Sequence, residues 1–212
     1  VTKKYNPKII GVATTCLTET IGDDVKMILH EYKEEFQPDG EGPEIFSVST
    51  PSYSGTHMEG FHAALTGVVD QLTVPCEKSE RINLLPGFVS AADMRYYKEL
   101  LDDFGLSYTM LPDYSETLDG EALDDYPLLP EGGTPIEDIR TMGGAALTIE
   151  CGGTLPKSSA GTSLEKNHSV PLFRTGLPIG IRETDQLMNK LEEMSGKSIP
   201  TKYVSARGRL VD

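Results

Sequence analysis

The chain has 212 residues, a length that suits one large or two small domains. With 38% hydrophobic and 25% charged residues it has the composition of an ordinary soluble globular protein, and no apolar run approaches the ~20 residues of a membrane-spanning helix. The formal net charge of −14 argues against a nucleic-acid partner, because phosphate binding requires clustered Lys and Arg side chains.

The first part of the chain predicts two strand–helix units. In the first predicted helix the apolar residues recur at helical spacing, and Asp23 and Asp24 suit the positive end of the helix dipole. The residues between the first strand and this helix read as a turn, with Gly22 allowing the chain to bend. In chain order the units are strand Lys8–Ala13, helix Asp23–Phe36, strand Glu44–Ser49 and helix His57–Leu72.

The second part of the chain, after a predicted linker at Thr73–Glu80, continues the alternation. Ser90 is expected to cap a helix that ends at Gly105, and Thr134 to cap one that follows a long acidic loop containing Pro112, Pro127 and Pro130. The predicted strands are Arg81–Leu85, Leu106–Leu111, Ala145–Glu150 and Val170–Phe173. The predicted helices include Ser90–Phe104, a weak one at Ser158–Asn167, and Glu183–Ser195.

Strands that alternate with helices favour parallel sheets with right-handed crossovers. We therefore predict an α/β fold of Rossmann-like type, with parallel sheets and flanking helices. The expected division is residues 1–75, the end of a first α/β domain, and residues 81–212, a second Rossmann-like domain. The chain opens on Val1, almost directly at a strand, and so reads as part of a longer polypeptide.

Three cysteines, far apart in sequence, match neither a disulfide framework nor a zinc-site pattern. An odd number without a paired motif suits a reducing, cytoplasmic compartment. Cys76 falls in the predicted linker and Cys151 at a strand end, and both are interpreted as structural.

Cys16 follows the first predicted strand, and Ser52 follows the second. If the two strands are neighbours, both side chains emerge at one sheet edge, where open α/β sheets gather ligands. A thiolate is a soft ligand suited to iron–sulfur clusters. The residues alone leave the alternatives open, since a free Cys is more often a small buried hydrophobe and a Ser in such a turn is more often a helix cap.

Other motifs are weaker. The stretch Gly152–Ser158 has Pro156 where a phosphate-binding loop needs Gly, and no dinucleotide-binding glycine pattern follows a strand. His57 and His62 are five residues apart on a helix, so their side chains diverge and form a poor metal pair.

Several segments together resemble the nitrogenase component-1 family, specifically its β subunit. Residues Ala13–Asp24 are similar to the cluster-binding turn of that subunit, and Thr50–His57 to its next segment. Further similar segments occur in family order over essentially the whole chain: Ile82–Phe88, Gly132–Thr134, Leu177–Gly180 and Arg207–Asp212.

This resemblance implies that Cys16 ligates the eight-iron, seven-sulfur P-cluster at the interface with the α subunit, and that Ser52 ligates an iron in an oxidised state. The cluster relays electrons from the iron protein, an ATP-dependent reductase, to the cofactor in the α subunit that reduces dinitrogen to ammonia. The expected assembly is a heterotetramer with component-1 α subunits and a second β subunit.

The resemblance also implies an incomplete ligand set. The other two cysteine ligands of the β subunit would precede Val1, so these residues alone are expected neither to hold a stable cluster nor to be active. Three alternatives remain: the scaffold subunit for iron–molybdenum cofactor biosynthesis, which often lacks a thiol at the position of Cys16; a vanadium or iron-only β subunit; and a non-catalytic α/β binding module. The role of residues 112–131 is left unassigned.

Overall fold

The structure, a computed structural model, describes residues 1–120, 122, 124–125 and 132–211 of the chain. Pro127 and Pro130 of the predicted acidic loop lie outside the described residues. The strands are β1 (Ile9–Thr14), β2 (Glu44–Ser49), β3 (Ile82–Leu85), β4 (Tyr108–Met110), β5 (Leu147–Cys151) and β6 (Leu172–Thr175).

The helices lie between and after these strands, as crossover connections of parallel sheets require. They are α1 (Thr2–Tyr5), α2 (Cys16–Ile21), α3 (Val25–Phe36), α4 (His57–Leu72), α5 (Ala91–Phe104), α6 (Ile136–Arg140), α7 (Ala160–His168), α8 (Ile181–Ser195) and α9 (Thr201–Val211), with a 3₁₀ turn at Thr141–Gly144. Of the helices in the described part of the chain, none combines the length and the apolar character that crossing a bilayer requires.

The first sheet consists of β1 and β2, which pair in parallel with Thr14 opposite Ser49 at their carboxyl ends. Helix α4 returns alongside β2, where Gln71 bonds both main-chain groups of Ser47: its amide oxygen accepts from the N–H at 3.1 Å and its amide nitrogen donates to the carbonyl at 2.8 Å. The side chain therefore occupies backbone groups that a third strand would otherwise pair.

The second sheet has the parallel order β4-β3-β5-β6 and is covered on both faces. Residues of β3 and β5 are all buried, and alternate residues point to opposite faces. One face packs against α5 and α8, through residues such as Phe104 and Leu191. The other packs against α4 and α7, through Leu65 and Leu164. The predicted α/β fold with parallel sheets is confirmed.

Helix α4 follows the first sheet in sequence but contributes to the core beneath the second. Its buried residues Leu65, Val69 and Leu72 pack with Leu85 and Leu164. The two sheets are thus joined by shared apolar packing as well as by the chain. The division into residues 1–75 and 81–212 stays a prediction.

Two local predictions were wrong, and helices α1 and α9 were not predicted. The residues after β1 form the short helix α2 rather than a turn. The cap of α6 is Pro135, and the Thr134 hydroxyl donates to the main-chain oxygen of Met110 at 2.5 Å, so a tertiary bond replaces the expected cap. Helix α9 was not predicted at all, because Tyr203 is its sole buried residue and leaves no apolar stripe.

Candidate site at the carboxyl edge of the first sheet

The site lies where β1 and β2 end. Thr14 and Ser49 are opposite each other in the last register pair, and the chain leaves both strands on the same edge. After β1, extended Thr15 precedes α2, which begins at Cys16 and ends at Gly22 in the left-handed conformation (φ +80°). Glycine readily adopts this positive φ, so Gly22 lets the chain turn from α2 toward α3 after the Cys16 segment, as predicted.

The side chains of Cys16 and Ser52 meet at this edge. The Cys16 Sγ and Ser52 Oγ atoms are 2.7 Å apart, and the Ser52 main-chain N–H donates to the same sulfur at 3.1 Å. Cys16 is half-buried and Ser52 is exposed. The predicted convergence of these two residues is therefore confirmed as geometry, whereas their role as metal ligands stays a prediction.

Hydrogen bonding changes the acidity of the Cys16 thiol. The Ser52 hydroxyl and then its main-chain N–H stabilise the thiolate, and together they lower the pKa of Cys16 below its ordinary value. A thiolate is the form that binds metals and attacks electrophiles. The arrangement therefore favours, at a solvent-accessible edge next to a hydroxyl oxygen, the thiolate form that metal binding and nucleophilic attack both require.

A carboxylate joins the two strand ends beneath this pair. One oxygen of Glu19, on α2, accepts hydrogen bonds from the Thr14 hydroxyl and from the Ser49 hydroxyl, the latter at 2.6 Å. The bonds from Ser49 and then Thr14 lower the pKa of Glu19. The Thr50 hydroxyl adds a third link by donating to the Thr14 carbonyl at 2.9 Å.

Sequence reasoning missed this carboxylate and its two hydroxyl partners. The signal that existed was the pairing of small hydroxyl residues, Thr14 and Ser49, at the last positions of two predicted strands. Recognising it requires the register of the two strands, which a hydrophobic pattern with no alternating face does not determine.

Exposed apolar side chains occur close to Cys16 and Ser52 in the chain. Leu17 and Ile21 of α2 are 68% and 64% exposed, and Tyr53, next to Ser52, is 64% exposed. An open depression of about 540 Å³, lined by the Thr50–Ser52 turn and the first residues of α4, lies beside them. Several exposed apolar residues close to polar functional groups are typical of an interaction surface.

The other two cysteines have different surroundings. The Cys76 thiol donates to the main-chain oxygen of Thr141 at 3.4 Å. Cys151 is fully buried in β5, and burial raises the pKa of its thiol to about 11. Within residues 1–120, 122, 124–125 and 132–211, no three His, Cys, Asp or Glu side chains are arranged to hold a metal ion.

The fold and the site define a class of protein: a parallel α/β protein with an accessible thiol–hydroxyl pair at the carboxyl edge of a sheet. Comparison with known proteins identifies the family. The profile of the family described as nitrogenase component 1 type oxidoreductase matches residues 1–212. The chain belongs to this oxidoreductase family, and it is a homologue of the nitrogenase molybdenum-iron protein β chain.

Individual relatives agree with this membership. The chain is 40% identical over 209 residues to the nitrogenase molybdenum-iron protein beta chain of Clostridium pasteurianum, covering 98% of this chain and 45% of that protein. It is 32% identical over 225 residues to the nitrogenase iron-molybdenum cofactor biosynthesis protein NifN of Bradyrhizobium diazoefficiens, covering 100% of this chain and 46% of the relative.

A solved structure shows the same fold. The structure described as nitrogenase Cp1 at pH 6.5 superposes with a TM-score of 0.89 and 39% identity, covering 100% of this chain and 46% of that one. The 212 residues thus span slightly less than half the length of the relatives they match.

Proposed function

We propose that this chain contributes to the P-cluster site of a nitrogenase component-1 complex, as part of its β subunit. Cys16 supplies a thiolate ligand, and Ser52 supplies a hydroxyl oxygen as an additional ligand in an oxidised state. The observation that carries the proposal is the contact of Cys16 Sγ and Ser52 Oγ, at 2.7 Å, on an accessible sheet edge. When bound, the cluster supplies one-electron relay chemistry between the iron protein and the active-site cofactor.

The donor set fits an iron–sulfur cluster. A sulfur whose thiolate is stabilised by two hydrogen bonds is a suitable ligand for iron. The neighbouring hydroxyl oxygen is a harder donor and suits iron at higher oxidation level. Cys16 faces the edge, and its pKa is lowered rather than raised, in contrast to the sealed thiol of Cys151.

The surroundings support a shared site. A single thiolate does not complete an iron–sulfur ligand set, which usually takes four cysteines even for small clusters. The exposed Leu17, Ile21 and Tyr53 form the apolar rim that a partner would cover. We propose that the partner is the component-1 α subunit, within a heterotetramer reduced by the iron protein, and that these residues alone hold no stable cluster and have no activity.

The second candidate is the scaffold subunit on which the iron–molybdenum cofactor is matured. It is favoured by the similarity to NifN at 32% identity. The Cys16 thiol favours the β subunit, because a scaffold that uses other ligands does not need a thiolate held by two Ser52 donors.

The test uses the polypeptide containing these residues, produced anaerobically with a component-1 α subunit. Wild-type complex is compared with Cys16→Ala, Ser52→Ala and the matched control Cys76→Ala, by iron content and by electron paramagnetic resonance after oxidation. We expect Cys16→Ala to lose iron and the cluster signal and Ser52→Ala to keep iron but change the oxidised spectrum. The Cys76→Ala complex should match wild type.

Two results would contradict the proposal. Cys16→Ala with wild-type iron and spectrum would remove the ligand role. A wild-type complex that carries a cofactor precursor transferable to another protein, instead of a redox-active cluster, would favour the scaffold. For the 212 residues alone, anaerobic reconstitution should give no stoichiometric iron; stoichiometric iron would show that the ligand set is not shared.

A further inference from the structure

We propose that Glu19 is a positioning residue that holds the turn carrying Cys16 against the turn carrying Ser52. The inference rests on the proposed function, since it concerns how the two proposed ligands are kept together. It assigns to Glu19 no contact with the cluster and no proton transfer.

The geometry is that of a clamp between two strands. Glu19 lies on α2, whose first residue is Cys16, and one of its oxygens accepts from Thr14 at the end of β1 and from Ser49 at the end of β2. Ser49 is three residues before Ser52. A single carboxylate oxygen therefore ties the helix that begins with one ligand to the strand that leads to the other.

The clamp is placed where the sheet itself provides little restraint. Thr14 and Ser49 are the last register pair of β1 and β2, so the ladder continues no further toward the ligands. The other direct links across the gap are the Thr50 hydroxyl bond to the Thr14 carbonyl, the Thr14 hydroxyl bond to the Val48 carbonyl at 3.4 Å, and the two bonds of Ser52 to the sulfur. Among these links Glu19 supplies the one from Ser49, while its bond from Thr14 anchors the carboxylate to β1; both bonds are charge-assisted and hence stronger than neutral bonds.

The alternative role of Glu19 is to stabilise the α2 helix dipole by its negative charge alone. Glu19 is in the first turn of α2, where any negative charge favours the helix dipole. The two roles depend on different properties of the side chain. Stabilising the dipole needs a negative charge, whereas the clamp needs an oxygen that accepts hydrogen bonds from Thr14 and Ser49. Gln at position 19 removes the charge but keeps an accepting oxygen, whereas Met removes both at nearly the same length.

The first experiment measures hydrogen exchange of the Ser52 main-chain amide, which donates to Cys16 Sγ. Wild type, Glu19→Gln and Glu19→Met are compared in the polypeptide containing these residues, with the amides of β3 and β5 as the internal control for folding. We expect Glu19→Met to speed Ser52 exchange by about tenfold or more, with Glu19→Gln close to wild type and the control amides unchanged.

Two results of this experiment would overturn the clamp. Exchange in Glu19→Met equal to wild type overturns the clamp. Equal acceleration in both variants overturns it as well, because charge alone would then explain the effect. If Glu19→Met does not fold, Thr14→Val and Ser49→Ala take its place, since each removes one hydroxyl that donates to Glu19. We expect at least one of them to speed exchange of the Ser52 amide. If neither does, the inference is overturned.

The second experiment separates this inference from the proposed function. In the anaerobic complex with the α subunit, the midpoint potential of cluster oxidation should rise in Glu19→Met and not in Glu19→Gln, because Ser52 is the proposed extra ligand of the oxidised state. A tenfold loss of preference for that state corresponds to about 59 mV for one electron. A wild-type complex with no cluster contradicts the proposed function. A cluster whose potential is the same in both variants and wild type contradicts the role of Glu19.

Discussion

Removing Arg174 should destabilise the second sheet much more than removing the charge of its partner Glu150. Glu150, in β5, has a side chain only 3% exposed, and its carboxylate accepts from Ser159 at 2.9 Å, from the Gly161 main-chain N–H at 3.1 Å and from Arg174 Nε at 2.9 Å. The Arg174 side chain is 38% exposed. One member of the ion pair is therefore buried and the other reaches solvent.

The two substitutions leave different charges behind. Arg174→Met leaves a buried carboxylate without a counter-ion, and breaking a buried pair in this way costs about 4 kcal/mol. Glu150→Gln leaves a guanidinium that can turn toward water. In Glu150→Gln the NH₂ of the introduced amide faces either the Gly161 N–H or the Ser159 and Arg174 donors. The unsatisfied buried donor and the weakened hydrogen bonds then cost about 2 kcal/mol of the free energy of unfolding.

Cys151 provides a local assay. It follows Glu150 in β5 and is fully buried, so a thiol reagent reaches it only when this sheet opens. In a background in which Cys16 and Cys76 are replaced by Ser, it is the sole thiol of the chain. When closing is faster than labelling, the labelling rate follows the open population, so the two penalties become about 700-fold for Arg174→Met and about 30-fold for Glu150→Gln.

The matched control is Arg182→Met, the same substitution at a side chain that is 83% exposed and pairs with Glu183. An exposed ion pair contributes about 0–1 kcal/mol, so labelling should change less than about fivefold. The reasoning is refuted if Glu150→Gln accelerates labelling as much as Arg174→Met does, or if Arg182→Met matches Arg174→Met.

Two further outcomes follow from burial. Iodoacetamide at pH 8, read out by peptide mass spectrometry, should modify Cys16 but not Cys151. Hydrogen bonds from Ser52 lower the pKa of Cys16, whereas burial raises the pKa of Cys151 to about 11. Comparable modification of both cysteines in folded protein would contradict this expectation. Leu191→Ala, at a fully buried position in α8, should cost about 2–5 kcal/mol by the Cys151 labelling assay. Leu210→Ala, at a position 73% exposed, should cost less than about 0.5 kcal/mol. Equal costs for the two substitutions would contradict the burial of Leu191 in α8.

Much of the fold follows from local signals that the structure does not override. The capping box of Ser90 with Asp93 and the left-handed Gly105 bound α5 as the sequence predicts, because both ends are determined within a few residues. Thr134 has the same kind of local signal, but the Met110 carbonyl lies within reach of its hydroxyl and takes the bond. A cap is predictable only where no tertiary partner competes for it.

One part of the candidate site can be predicted from the sequence, and another part cannot. That Cys16 and Ser52 follow neighbouring parallel strands can be inferred from the order of strands and helices. The clamp by Glu19 cannot, because it depends on the register that places Thr14 opposite Ser49 and on the rotation of α2. The resemblance to nitrogenase component 1 locates the proposed ligands; the atoms that keep them together become visible only in three dimensions.

The position of the pair also bears on when it becomes rigid. Both core clusters are centred on the second sheet, whereas α3, all twelve residues of which are described, contributes no buried residue to the first. Segments with little burial open at low free-energy cost. Cys16 and Ser52 therefore lie on the part of the chain whose order gains most from contact with a partner along Leu17, Ile21 and Tyr53. On this reasoning, protection of the Ser52 amide should increase further when the α subunit binds, and more in Glu19→Met than in wild type, because the interface then replaces the restraint that the clamp no longer supplies.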